Sequence, residues 1–290
     1  MALFMAMAGV LFYRRVSCYT NLHDKIETAK KRAIRLLLPY CTFSIIILIA
    51  KLLFATWSRE PVSAWSIIGI LFGNSPCGNM WFLWTLFMIS LIVMFLPKTR
   101  YFPLPLSIFA TVMYFFQNQQ IWIMEFGIEK ISNMLIWFTI GLLIGKNINV
   151  FKKAHDLGTH AKVAFLIAVL LIQIAVLELR QHLPFQLVYK YILAILGILL
   201  ILNISVLLAE KNGKVSRGFQ YLGKNSMSIY VLSYFVQTPG VTIYRKIGSC
   251  GIPYDLWVIS LVAFALLFSV IAVKVIRKNA FLRIVVLGER

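Results

Sequence analysis

Acidic side chains are scarce in this sequence: 10 Asp and Glu stand against 29 Lys and Arg among 290 residues. Charge of either sign makes up only 13% of the chain, about half of the roughly 25% found in soluble domains. A surface so poor in charge does not have water as its main solvent. No stretch is both long enough and polar enough to build a soluble domain, so a single membrane-embedded domain over residues 1–290 is expected. Only four cysteines are present, Cys18, Cys41, Cys77 and Cys250, without the close pairing that marks metal or redox sites, and no metal is expected. His, Asp and Glu are missing from the middle of every apolar run, which speaks against a proton-coupled transporter built on intramembrane carboxylates. Internal repeats, low-complexity tracts and linkers are also lacking.

What is present is apolar. Hydrophobic residues make up 60% of the chain, and the mean hydropathy is +0.83. Runs bounded by charges and Pro fall at residues 1–13, 36–56, 80–96, 102–116, 131–145, 161–177, 188–209, 226–238 and 256–275. The expected fold is all-α, a polytopic transmembrane helix bundle of about nine hydrophobic segments. Several runs, 102–116 and 226–238 among them, fall short of the roughly 20 residues that span a bilayer, so tilted, polar-flanked or partly re-entrant segments are expected.

The basic residues gather on alternate loops. Arg14, Arg15, Lys25, Lys30, Lys31, Arg32 and Arg35 form one cluster, and Lys98 and Arg100 a second. Lys146, Lys152, Lys153 and Lys162 follow, then Lys211, Lys214, Arg217 and Lys224, then Lys274, Arg277, Lys278, Arg283 and Arg290. The intervening loops hold only Arg59, Lys130, Arg180, Lys190, Arg245 and Lys246. By the positive-inside rule the richer set is cytoplasmic and the C-terminus lies inside; a plasma (inner) membrane is the expected location. Short clusters between apolar runs are orienting loops, whereas a nucleic-acid-binding module needs a continuous basic face. The expected surroundings are therefore the lipid bilayer, with no nucleic acid. The same alternation leaves the N-terminus outside, beside a run at 1–13 that is too short to span comfortably and is followed by basic residues, the reverse of a secretory signal. A further helix ahead of Met1 would restore an even count, and is expected on that ground.

Other features are local. Residues 63–72 (SAWSIIGILF) read as an interfacial helix with Trp57 and Trp65 at headgroup depth, or else as a buried loop. Gly141 and Gly145 have the spacing that lets two helices approach closely, most simply inside the bundle. Lys51, about one turn from the outer end of its run, snorkels to the interface. His23, His155 and His160 fall in cytoplasmic loops and His182 in an outer one, where each reads as solvated. Cys77 and Cys250 fall in outer loops, and a disulfide between them is one hypothesis.

Five motifs in order carry a resemblance to a known family. They are MALFMAMAGVLFYRR (Met1 to Arg15), KKRAIRLLLPY (Lys30 to Tyr40), NMWFLWTLF (Asn79 to Phe87), WFTIGLLIGK (Trp137 to Lys146) and YLGKNSMSIYVLSYF (Tyr221 to Phe235), with KNAFLRIVVLG (Lys278 to Gly288) closing the chain. Together they resemble the acyltransferase-3 family of integral membrane O-acyltransferases, the fucose 4-O-acetylase-like branch above all. The resemblance implies the family's ten-helix bundle without its first member. It also implies transfer of an acyl group, usually acetyl from cytoplasmic acetyl-CoA, to a hydroxyl of a sugar or exported polysaccharide. Arg32 and Arg35 match the family's basic loop and are suited to the phosphates of CoA. Lys224, Asn225 and Ser226, just before a helix, read as further donors at the same mouth. Topology control competes with the first reading, and helix capping by Asn225 and Ser226 with the second. Trp81 and Tyr230 match family positions on the substrate side, where packing is the alternative.

Acyl transfer also needs a base to take the hydroxyl proton. The family's usual catalytic His lies on its first helix, and the His common in the later motif is Ser233 here. No residue is therefore assigned as the base, and little activity is expected of these 290 residues alone. A non-enzymatic permease or flippase for a glycan or lipid-linked sugar is the second reading, with Trp81, Trp84, Trp122 and Trp137 lining a sugar path.

Overall fold

A computed structural model describes residues 1–16, 21–53, 66–96, 102–116, 127–149, 158–179, 186–210, 213–247 and 253–289. All regular structure among them is helical: α1 (Ala2–Val16), α2 (Leu22–Leu53), α3 (Ser66–Leu71), α4 (Trp81–Phe95), α5 (Leu104–Phe116), α6 (Ile128–Lys146), α7 (Thr159–Leu179), α8 (Gln186–Glu210), α9 (Lys214–Lys224), α10 (Ser226–Ile247), α11 (Tyr254–Ile276) and α12 (Ala280–Leu287). Each of the nine apolar runs has most of its described residues on one of these helices. By length and composition α2, α6, α7, α8 and α11 can cross a membrane, and α4 and α5 are shorter apolar helices. The protein is an all-α, multi-pass membrane bundle.

Two helices outrun the apolar runs that announce them. Leu22 opens α2 well before the apolar stretch, because the Lys, Arg, Glu and Ala of its first turns are strong helix formers. Pro239 does not stop α10, which continues to Ile247. A proline removes one N–H and frees the carbonyl four residues earlier, a loss that neighbouring groups can cover in a membrane helix. Pro39 acts in the same way inside α2 and frees the carbonyl of Arg35.

The helices form two compact units. The first holds α1, α5, α6, α7 and α8, with the second half of α4 and the first half of α9. Its centre is a backbone-close seam of α1 on α6. A Cβ on Gly141 would stand 2.0 Å from the Ala6 carbonyl oxygen, and one on Gly9 would stand 2.2 Å from that of Phe138. Gly145 faces Tyr13 and Val10 of the same helix, so the glycine spacing works inside the bundle. Phe12 meets Phe138 edge-on at 5.4 Å beside the seam. Tyr114, Trp137 and Tyr191 bring α5, α6 and α8 together in one aromatic cluster. The outer faces of α7 and α8 keep Phe165, Leu171, Ile174 and Ile201 exposed, as helices solvated by lipid do.

The second unit holds α2, α3, α10, α11 and α12, with the first half of α4 and the second half of α9. α10 and α11 run antiparallel, pinned at one end by Trp257, whose Nε1 donates to the Gly240 carbonyl at 3.2 Å. α3 docks on α2 by one side. Tyr40 Oη donates to the Ile70 carbonyl at 2.7 Å, and Ile70 is 3% exposed. Ile67, Ile68 and Leu71 stay exposed, so the rest of α3 keeps the apolar surface that the interfacial reading expects. Gly73, with φ 82°, lets the chain turn back beneath the Trp84 ring, 2.7 Å from where a Cβ would stand.

Candidate functional site

Two places in the second unit gather the residues that the sequence singles out. The first lies where the arginines of mid-α2 meet the start of α10 and the end of α11, and α12 builds it by reversing the chain. Asn279 caps α12, its side-chain oxygen accepting from the N–H groups of Phe281 (2.9 Å) and Leu282 (3.3 Å). Gly288 ends the helix in the left-handed region at φ 64°. It then lies on α2, where a Cβ would stand 2.6 Å from the Arg35 carbonyl oxygen. Pro39 lacks the N–H that would otherwise take that carbonyl, so the tail docks where α2 is open.

Beyond Gly288 stands Glu289. Its carboxylate accepts from Arg277 Nε at 2.9 Å and Nη2 at 2.7 Å, the two-point pairing that favours Arg over Lys. The same Nη2 donates to Asn225 Oδ1 at 2.7 Å, and Asn225 Nδ2 donates to the Tyr221 carbonyl at 2.8 Å. Hydrogen bonds from Arg277 hold the Glu289 carboxyl below the usual glutamate range, and the charges of Arg277, Arg35 and Arg283 add to the effect. Glu289 raises Arg277 in return. Arg283 Nε is buried without a hydrogen-bond partner among the described residues.

The second place lies deeper. Tyr230 on α10 donates to the Asn79 carbonyl and meets Phe82 edge-on, with 5.8 Å between ring centroids. Trp81 opens α4, its ring 6.3 Å from that of Phe82. The Ser44 and Ser75 hydroxyls are 2.7 Å apart, and Ser75 Oγ accepts from the Cys77 N–H at 3.0 Å. Tyr230 stands about 8 Å along α10 from Asn225 by helical rise, so one helix joins both places.

The family model described as an acyltransferase domain matches residues 1–275. The chain belongs to the acyltransferase-3 family. Comparisons with curated proteins and with solved structures found no match. The protein is a membrane acyltransferase.

Arg35 and Asn225 meet at the first place through Gly288, Glu289 and Arg277. Lys224 is exposed at the end of α9 and Ser226 opens α10. Arg32 lies about one turn before Arg35 on α2 and is partly exposed. Asn225 is 5% exposed, and its amide is engaged with Tyr221 and Arg277. It therefore stands as a holder of Arg277 rather than as an open donor. Trp81 and Tyr230 share the second place through Phe82. Ser233, where this acyltransferase family commonly carries His, donates to the Tyr230 carbonyl of its own helix at 3.0 Å.

Sequence reasoning counted Arg277 and Arg283 only as orienting charges and passed over Glu289. The Asn279 cap and Gly288 stop were legible as the two ends of a short helix that turns the tail back. Among the described residues no three His, Cys, Asp or Glu come together as metal ligands. His23 and His160 are exposed. Cys77 is fully buried, in the loop between α3 and α4. Cys18, Cys250, His155, His182, Trp57, Trp65 and Trp122 lie outside the described residues, and with Cys250 the hypothesised disulfide.

Proposed function

We propose that this acyltransferase moves an acetyl group from acetyl-CoA to a hydroxyl of a sugar or exported polysaccharide, in a bacterial-type plasma membrane with the arginine end facing the cytoplasm. The observation that carries the reading is Arg277 bound at two points to the Glu289 carboxylate, on which the charges of Arg35 and Arg283 also act. Phosphates of an acyl-CoA need such cations, a role that adds to the orienting one of the positive-inside rule. In this reading Arg32, Arg35 and Lys224 attract the donor, while Asn225 and Ser226 order the start of α10 beneath it. Trp81 and Tyr230, one level deeper, face the acceptor. The acceptor hydroxyl attacks the thioester carbonyl, the carbon–sulfur bond breaks, and the thiolate leaves with a proton. No imidazole or carboxylate stands mid-helix in a spanning segment among the described residues. We accordingly expect these 290 residues by themselves to transfer little acetyl.

The test is a thermal-shift titration of the purified chain with CoA, followed by transfer of labelled acetyl to candidate glycans. Stabilisation by CoA with slow or no transfer is the expected result. Absence of any CoA effect would remove the donor and favour a permease, which needs a passage but no donor pocket. Transfer at ordinary enzymatic turnover would overturn the expectation of low activity.

A further inference from the structure

The charges at the arginine end do not balance. Arg277 binds the Glu289 carboxylate at two points, and the fields of Arg35 and Arg283 also reach it. Arg283 Nε is buried with no hydrogen-bond partner among the described residues, so a donor is held ready without an acceptor, a costly arrangement unless something else fills it. One carboxylate pairs with Arg277 and lies in the field of two further guanidinium groups, and a group carrying two negative charges would match them better. Glu289 is also easy to move. Its side chain is 32% exposed and that of Arg277 36%, and ion pairs so open to solvent contribute little to stability. The residue sits just past a helix stop, where a change at Gly288 releases it without unwinding a spanning helix.

We infer that Arg35, Arg277 and Arg283 form a phosphate site for the acyl donor, and that the Glu289 carboxylate is its internal occupant, displaced when the donor's phosphate enters. Asn225 positions Arg277 from beneath, and Gly288 holds the tail in place on the open carbonyl of α2. The inference rests on the donor reading above for the identity of the phosphate, but not for the existence of the site. A free pyrophosphate and the phosphate of an anionic lipid share the same chemistry, so the test must separate them.

The experiment measures binding of CoA and of inorganic pyrophosphate to the full chain in nanodiscs of zwitterionic lipid, by calorimetry, with a second set of discs containing phosphatidic acid. Glu289→Gln is expected to tighten CoA binding about tenfold by removing the competitor, and Arg283→Gln to weaken it by about the same factor, each change removing one charge from the site. Arg283→Lys keeps the charge and is expected to recover most of the affinity. Melting temperatures without ligand confirm that each variant is folded. If CoA binds the wild type and both glutamine variants equally, the site is wrong while the donor reading survives. If CoA binds none of them but pyrophosphate follows the same order, the site stands and the donor reading falls. If phosphatidic acid alone abolishes the differences, the occupant is a lipid and the assignment to the donor is overturned. Failure of both CoA and pyrophosphate to bind any form also overturns it.

Discussion

Two ion pairs at helix ends, one in each unit, differ in burial and with it in what they are suited to do. Lys162 of α7 pairs with Glu210 of α8 in the first unit, the Lys side chain 6% and the Glu 28% exposed. Asn203 Nδ2 also donates to the Lys162 carbonyl at 2.9 Å, so the α7–α8 end is closed by a satisfied polar knot. Arg277 and Glu289 in the second unit are both about a third exposed, and the second partner lies on a tail instead of a spanning helix. The buried Lys162 has no water to replace a lost partner, so its pair fixes two helices. A half-exposed pair exchanges partners readily, which is what a binding end requires.

The largest effect is expected from breaking the closed pair. Glu210→Met leaves the buried Lys162 ammonium without its carboxylate and should cost about 3 kcal/mol of stability, read as a loss of melting temperature in detergent. The double variant Lys162→Met with Glu210→Met should restore most of it. An additive loss in the double variant would mean that the pair is not what joins α7 to α8. Next comes the glycine seam, where Gly141→Leu drives side-chain atoms into the Ala6 carbonyl and should cost about 2–3 kcal/mol by overpacking. Wild-type stability of that variant would show that α1 does not lie on α6 as described.

Smaller changes probe the open end. Gly288→Ala places a Cβ at positive φ against the Arg35 backbone and should cost about 1–2 kcal/mol. Its effect should be concentrated in hydrogen exchange of α12. Acid should act most weakly of all. The folded Glu289 carboxyl sits below its ordinary value of 4.5, so its contribution is present above that pH and is lost as pH falls through the depressed folded value. Because the pair is part-exposed, the contribution is well under about 1 kcal/mol. The melting-temperature difference between wild type and Glu289→Gln should therefore be constant from neutral pH down to about pH 5 and vanish in stronger acid. A difference that instead grows with acid would reverse the sign of the pairing.

The helices were legible because each apolar run is long enough to reveal itself locally. The docking of α3 on α2 was not, since Ile70 is equally apolar in a headgroup plane and beside Tyr40. The extension of α10 past Pro239 was hidden for a related reason: a proline's cost depends on whether neighbours cover the freed carbonyl, which no local pattern records. At the candidate site, Arg35 and Asn225 were visible through the resemblance to the family, whereas Arg277, Arg283 and Glu289 looked like ordinary terminal charges until α12 folded back.

By itself the sequence determined the solvent of this protein, its helical class and its family, because hydropathy, scarce charge and ordered motifs are properties of the chain read in one direction. Only the tertiary structure decided which arginines share a carboxylate and where α3 goes. Those outcomes depend on residues far apart in the chain meeting at atomic distance, as Gly288 meets the carbonyl that Pro39 left open.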